Sequence, residues 1–348
     1  MKRYFNLFLI LLLFANANAF AFAGNPLVAE TKVIDKTFSV NPNAELRINN
    51  KYGNVNMTTW DKNIVEFHIE IKVDGKNAER VKERLNSISV DFSANSNLVS
   101  AETIFKNIKN SNNTNITIHY FVKLPKTNNV NLINRYGNIS LDVLKGTSVI
   151  NLDYGNLTLG KMENALNTWD LDYVTSANVD FVKSANITMD YSKLTLGRSE
   201  VINLNADYSD VNLGKIGDLV NSMDYGNIFL EEAGTFSNVA DYTNVKVGTI
   251  QQSFVSSGSY GSISIGNVKK GFNKISIGAD YSDVSIGIES GSGYTLTGNF
   301  KYGGMSFPSS VNMSKQIEKS VVKTYEGKAG NGSGEILINM TYGSAKIK

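Results

Sequence analysis

Aspartate and tyrosine recur in this sequence at a spacing that could do chemistry. Asp153-Tyr154, Asp172-Tyr173, Asp190-Tyr191, Asp207-Tyr208, Asp224-Tyr225, Asp241-Tyr242 and Asp280-Tyr281 repeat one dipeptide through the second half of the chain. A row of carboxylates can hold a divalent cation, and a row of phenols can stack ring on ring or meet the faces of sugars. Stacked at strand spacing, neighbouring carboxylates about 4.8 Å apart repel by roughly 0.9 kcal/mol in water, which calcium would relieve. The structural alternatives are that each aspartate accepts hydrogen bonds from the backbone of the corner after it, as Asx turns do, and that the tyrosines stack at that corner. The binding candidates are therefore Tyr154, Tyr191, Tyr208, Tyr225 and Tyr242, with Asp153, Asp190, Asp207, Asp224 and Asp241. The Gly-Gly-x-Gly-x-Asp calcium nonapeptide is absent, so neither a metal nor another cofactor is assigned.

Other reactive groups are few. His68 and His119 are the two histidines; both fall on the outward parity of their strands, with no carboxylate or serine motif to accompany them, which predicts solvated surface positions. With no cysteine, a thiol nucleophile, a disulfide and a thiolate metal site are excluded. Arg135 and Arg198 are the only arginines beyond residue 130, too few for a phosphate or uronate clamp. A polysaccharide-active enzyme would need converging carboxylates beside a base such as Lys183, Lys193 or Arg198. The aspartates fall in one repeating column instead, and no catalytic residue is assigned.

The elements that position these rows follow from the same repeat. Tyr136, Tyr154, Tyr173, Tyr191, Tyr208, Tyr225, Tyr242, Tyr260, Tyr281 and Tyr302 recur every 17 to 21 residues, and Tyr52 and Tyr342 share their surroundings. Positions three and five after the tyrosine are apolar, as in Leu157 and Leu159 or Val284 and Ile286, and so are positions two, four and six before it, as in Ile275, Ile277 and Ala279. That is period two on both sides with a change of parity between: strand, corner, strand, with Gly or Asn supplying the unusual corner angles. A second corner is expected at Gly160, Gly197, Gly214, Gly248, Gly266 and Gly287. A short third apolar segment (Met162, Ile216, Val268) then closes each copy.

Such copies cannot bury their apolar faces alone, so the expected fold is all-β: a parallel β-solenoid over 130–348, right-handed by the preference of parallel crossovers. The shifted phase after Tyr173 predicts a bulge. Asn331-Gly332-Ser333-Gly334 reads as a loop or a hairpin turn, and Ala345-Lys346-Ile347-Lys348 as a final strand. Residues 24–129 read as a β-rich cap with strands around Val65–Ile71, Ile88–Phe92 and Ile116–Val122, and one short helix from Asn77 through Val81 and Leu85.

Residues 1–23 read as a secretory signal peptide: Lys2 and Arg3, an apolar Phe5–Phe14, and Ala21-Phe22-Ala23 as cleavage site. Its removal leaves no apolar segment long enough to span a membrane, and equal numbers of basic and acidic residues, which argues against nucleic acid. The expected location is the periplasm or the cell surface.

Asn50-Lys51-Tyr52-Gly53-Asn54-Val55, Asn134-Arg135-Tyr136-Gly137-Asn138-Ile139 and Thr341-Tyr342-Gly343-Ser344 resemble the exported adhesin-like families, domains of unknown function similar to head-type autotransporter adhesin domains. The resemblance implies a β-solenoid in the cell envelope or at its surface, and brings no catalytic residues. The expected function is a non-enzymatic scaffold that binds a glycan or an envelope protein. A polysaccharide-active β-helix enzyme and a periplasmic regulatory partner of an inner-membrane protein are the alternatives.

Overall fold

The computed structural model describes residues 27–106 and 113–348; the signal-peptide reading of 1–23 lies outside them. Period-two patterning gives β1 (Val28–Ser39), β2 (Glu45–Lys51), β3 (Val55–Trp60) and β4 (Ile64–Gly75). Helix α1 (Ala78–Asn86) follows, where the Asn77 side chain accepts the Arg80 N–H and caps the first turn, while Val81 and Leu85 are buried. Then come β5 (Ile88–Asn95), β6 (Leu98–Phe105) and β7 (Thr114–Pro125). No helix among the described residues is long and apolar enough to cross a membrane.

The repeats begin with β8 (Asn129–Arg135), β9 (Ile139–Leu144), β10 (Ser148–Met162), β11 (Asn167–Asp190), β12 (Lys193–Asp207) and the long β13 (Asp210–Ser259). They continue in β14 (Ser262–Val268), β15 (Lys274–Asp280), β16 (Asp283–Ile288), β17 (Tyr294–Lys301) and β18 (Gly304–Ser306). The chain ends in β19 (Asn312–Lys319), β20 (Val322–Ala329), β21 (Gly334–Thr341) and β22 (Ser344–Ile347). Each copy lies in parallel register on the next, as Leu152 on Leu171 and Asp207 on Asp224. Both strands of a copy turn their apolar set inward, so Ile150, Leu152, Leu157, Leu159 and their equivalents join one continuous core. The bulge after Tyr173 is present: Gly155 and Asn156 face Val174 and Ser176, leaving Thr175 unmatched.

The strands form one 22-stranded mixed sheet, parallel through the repeats and antiparallel at both ends. At the N-terminal end β7 lies between β3 and β4, with β1 outside β4. The C-terminal end corrects one expectation and decides between the alternatives of another. The last segment is a pair of strands but not the last in space, since β21 pairs with both β15 and β17, and β22 with both β16 and β18. Of the loop and hairpin-turn readings of Asn331–Gly334 the loop is the one found, because β17 stands between β20 and β21; the hairpin turn is at Ser320-Val321, between β19 and β20. Spacing along the chain could not distinguish a copy added at the end from one threaded inward. The outermost strand, β19, carries Lys315, Glu318 and Lys319, charges that discourage edge-to-edge pairing.

Candidate functional site

Twelve tyrosines form a single column. In spatial order they are Tyr52, Tyr136, Tyr154, Tyr173, Tyr191, Tyr208, Tyr225, Tyr242, Tyr260, Tyr281, Tyr342 and Tyr302, with neighbouring ring centroids 4.5 to 5.6 Å apart and planes within 14° of parallel. Eleven such steps at strand spacing make a column about 54 Å long. Every one of these tyrosines has φ between 50° and 67°. The tyrosine itself therefore turns the corner, not the Gly or Asn expected there. A bulky residue in the left-handed region is a conformational outlier, costing about 1–2 kcal/mol.

Stacking on both faces of each interior ring offsets that cost, at about 0.5–1.5 kcal/mol per pair beyond burial. Backbone pairing also continues through the corner: Tyr208 N–H donates to the Asp224 carbonyl at 3.0 Å, and Tyr281 N–H to that of Thr341 at 2.8 Å. The glycines serve a different purpose from the one expected. A Cβ at Gly137 would lie 2.0 Å from the Gly53 carbonyl oxygen, and one at Gly160 2.1 Å from that of Asp142, so they let copies approach closely.

The stack decides what the tyrosines offer a ligand. Interior ring faces are covered by neighbouring rings, so sugar-face stacking has no room along the column; ring edges and hydroxyls remain, these residues being 36–53 % exposed. At the ends, Tyr52 meets the edge of Phe105 and Lys51 lies 4.8 Å over its ring, while Lys301 lies 5.5 Å from the ring of Tyr302. The phenols of Tyr154, Tyr225 and Tyr281 are raised above the usual range, first by loss of solvent and then by neighbouring phenols and carboxylates.

The aspartates share this edge. Asp207 Oδ1 accepts the Asp224 N–H at 3.1 Å, Asp224 Oδ1 that of Asp241 at 3.4 Å, and Asp241 Oδ1 that of Ser259 at 2.7 Å. These bonds reach the next copy at the same position, where the Asx-turn alternative expected the corner following each aspartate. Arg135 Nε pairs with Asp153 at 2.9 Å, so the row begins with a cation. Loss of solvent, followed by the charges of Asp170, Asp190 and Asp153, raises the Asp172 carboxyl; solvent loss and then Asp153 and Asp190 raise Asp170. Among the described residues no group of three or more His, Cys, Asp or Glu side chains is placed to hold a metal.

Two arrangements escaped sequence reading. His68 is exposed, but Asp35 lies 2.7 Å from Nδ1 and Glu70 3.2 Å from Nε2, correcting the expectation that no carboxylate accompanies it. Asp35, 33 residues away, reaches it through the antiparallel β1–β4 register, and the two carboxylates, Asp35 foremost, raise the imidazole above its usual value. His119 is half-buried and its Nδ1 accepts the Asn54 N–H. Inside the repeats, Asn221, Asn238 and Ser256 replace core residues with a buried ladder, Asn221 Nδ2 donating to Asn238 Oδ1 at 2.8 Å and Asn238 Nδ2 to Ser256 Oγ at 2.9 Å.

No family model matches the sequence, and a search of curated proteins finds no match. Similar solved structures include a candidate adhesin from Parabacteroides merdae, 12 % identical over 91 % of this chain and 96 % of that one, TM-score 0.29. A candidate lipid-binding protein from Parabacteroides distasonis is 10 % identical over 91 % and 96 %, TM-score 0.30. A candidate cell adhesion protein from Clostridium sporogenes is 11 % identical over 92 % and 99 %, TM-score 0.18. Adhesin names recur among these chains.

Proposed function

We propose that this chain is an exported, non-catalytic β-solenoid scaffold of the cell envelope, adhesin-like, that binds a glycan or protein partner along its tyrosine–aspartate edge. The solenoid is right-handed, by the preference of parallel crossovers, with residues 24–129 as its N-terminal cap and 130–348 as the repeats. The observation that carries the reading is the uniform column of twelve stacked tyrosines, each held in a strained backbone conformation with its hydroxyl edge half-exposed. A periodic row of donors and acceptors suits a partner that is itself extended, because weak contacts repeated in register add without any one being strong. Export is supported by the basic and apolar residues at the start of the chain.

The test replaces hydroxyls and keeps the stack. Tyr191, Tyr208, Tyr225 and Tyr242 are changed together to Phe, and retention of the mature protein on immobilised envelope fractions and glycans is compared with wild type. At least a tenfold loss of retention with an unchanged melting temperature is expected. Equal retention, or glycan turnover by the wild type that is lost on altering one copy, would overturn the reading.

A further inference from the structure

Near the C-terminal end, the outer surface of the strands preceding the tyrosines carries a groove of about 670 Å³. Ser257, Gly278, Asn339 and Asn299 lie along its floor in consecutive register across four strands, three residues before Tyr260, Tyr281, Tyr342 and Tyr302 respectively. Asp280 and Lys301 stand at its side, two strands apart, with Thr341 between them.

Gly278 is the informative residue. A Cβ there would meet nothing within 4 Å and its φ is unexceptional, whereas every other strand glycine among the described residues has a heavy atom within 3.1 Å of the Cβ position. Equivalent positions in other copies carry side chains, among them Asp170, Thr188, Asn205, Ser222 and Val239. Glycine weakens a strand, and neither packing nor backbone angle requires it here. The remaining physical reason for a strand glycine is close approach by something else.

The geometry points to a binding groove for a linear, uncharged oligosaccharide of about four rings, lying across the strands over Gly278. This inference rests on reading the chain as a binding scaffold, and names one ligand class and its site. Strands β15, β21 and β17 are paired on both sides, so a peptide finds no open backbone edge and the ligand must be read by side chains. Those side chains are amides and hydroxyls suited to sugar hydroxyls. Asn299 Nδ2 donates to Asn339 Oδ1 at 2.9 Å, leaving Asn299 Oδ1 and Asn339 Nδ2 without a partner among the described residues. Among the described residues the Asp280 carboxylate, unlike those of Asp207, Asp224 and Asp241, accepts no backbone N–H, and neither it nor Lys301 forms an ion pair. Their charges cancel, which suits a neutral chain better than a uronate. Linear glycans repeat their rings at an interval close to the strand spacing of about 4.8 Å, so consecutive rings can meet consecutive strands.

The experiment measures binding of cellotetraose, chitotetraose, xylotetraose and maltotetraose to the mature protein by calorimetry, for wild type, Gly278→Val and Asn339→Ala. Wild type should bind at least one of them. Gly278→Val should weaken that binding tenfold or more while melting at the same or a higher temperature, since the new Cβ enters open space and valine favours strands; Asn339→Ala should weaken it with melting unchanged. No binding by wild type, equal binding by Gly278→Val, or a lowered melting temperature in that variant would overturn the proposal. Tetrasaccharide binding that survives Gly278→Val but is lost in the four-tyrosine variant would sink the groove and leave the scaffold reading standing. Binding lost in Gly278→Val but indifferent to the four tyrosines would uphold the groove and remove the tyrosine edge from tetrasaccharide binding.

Discussion

Replacing Tyr208 in three ways separates stacking from backbone strain. Its ring lies 4.9 Å from both Tyr191 and Tyr225, within 4° of parallel, and its φ is 50°. Truncation to Ala removes two stacked pairs, about 1–3 kcal/mol together, and the burial of half a tyrosine side chain, about 2 kcal/mol. The left-handed strain stays, because alanine retains a Cβ. Truncation to Gly loses the same contacts but recovers about 1–2 kcal/mol of strain, more than its lower strand propensity takes back. Phe keeps the stack and changes stability by less than about 0.5 kcal/mol. Urea unfolding of the mature proteins, followed by circular dichroism, should rank them Tyr and Phe first, Gly next and Ala last, with Ala about 3–5 kcal/mol below wild type. Glycine falling below alanine would refute the strain assignment, and alanine matching tyrosine would refute the stack as a source of stability.

Two further outcomes follow from the same geometry. Asp172 has a raised folded-state pKa, so the stability attached to its proton is fully present below the unfolded value of about 3.9 and is lost as pH rises through the folded value. Asp172→Asn should therefore be more stable than wild type at pH 7 by a few tenths of a kcal/mol, with the difference closing below about pH 4; thermal melts at pH 3, 5 and 7 check it, and a variant less stable at pH 7 contradicts it. Deleting residues 334–348 removes β21 and β22 from between their neighbours, leaving β17 and β18 without the strands that join them to β15 and β16. Limited proteolysis should then cut within residues 289–333 while the region around the buried Trp169 stays protected, whereas loss of a simple terminal copy would leave 289–333 intact.

The repeat made much of this fold legible. Inward residues such as Leu157, Leu159, Ile275 and Ile277 must match the copies on either side, so their period survives in every copy; the phase slip after Tyr173 was readable as a bulge for the same reason. The left-handed tyrosines were not legible, because that conformation ordinarily favours Gly or Asn and only the stack, a property of neighbouring copies, makes Tyr tolerable there. The partners of His68 were equally hidden: Glu70 sits two residues away, but Asp35 arrives through a strand pairing that alternation does not specify. The placement of Tyr342 between Tyr281 and Tyr302 lay beyond reach because all three motifs look alike, and stacking order leaves no mark on any one of them.

That last difficulty bears on where specificity can reside. Residues facing inward are held by the copies around them, and those at the corner by the stack, so neither set can vary far without disturbing its neighbours. Freedom remains in the outward columns. There the carboxylate row gives way, beyond Asp241, to Ser259, Asp280, Thr341 and Lys301, in the stretch where the last strand is threaded inward. Threading brings Thr341 and Asn339 between residues 61 and 40 positions away in the chain, so the groove is lined by five segments that can each change independently. A column of identical copies offers a partner the same contact everywhere and so fixes no position along its length. The departure from identity around Gly278 supplies a position, which is why the groove, and not the most regular part of the column, is where a ligand would be told apart from its relatives.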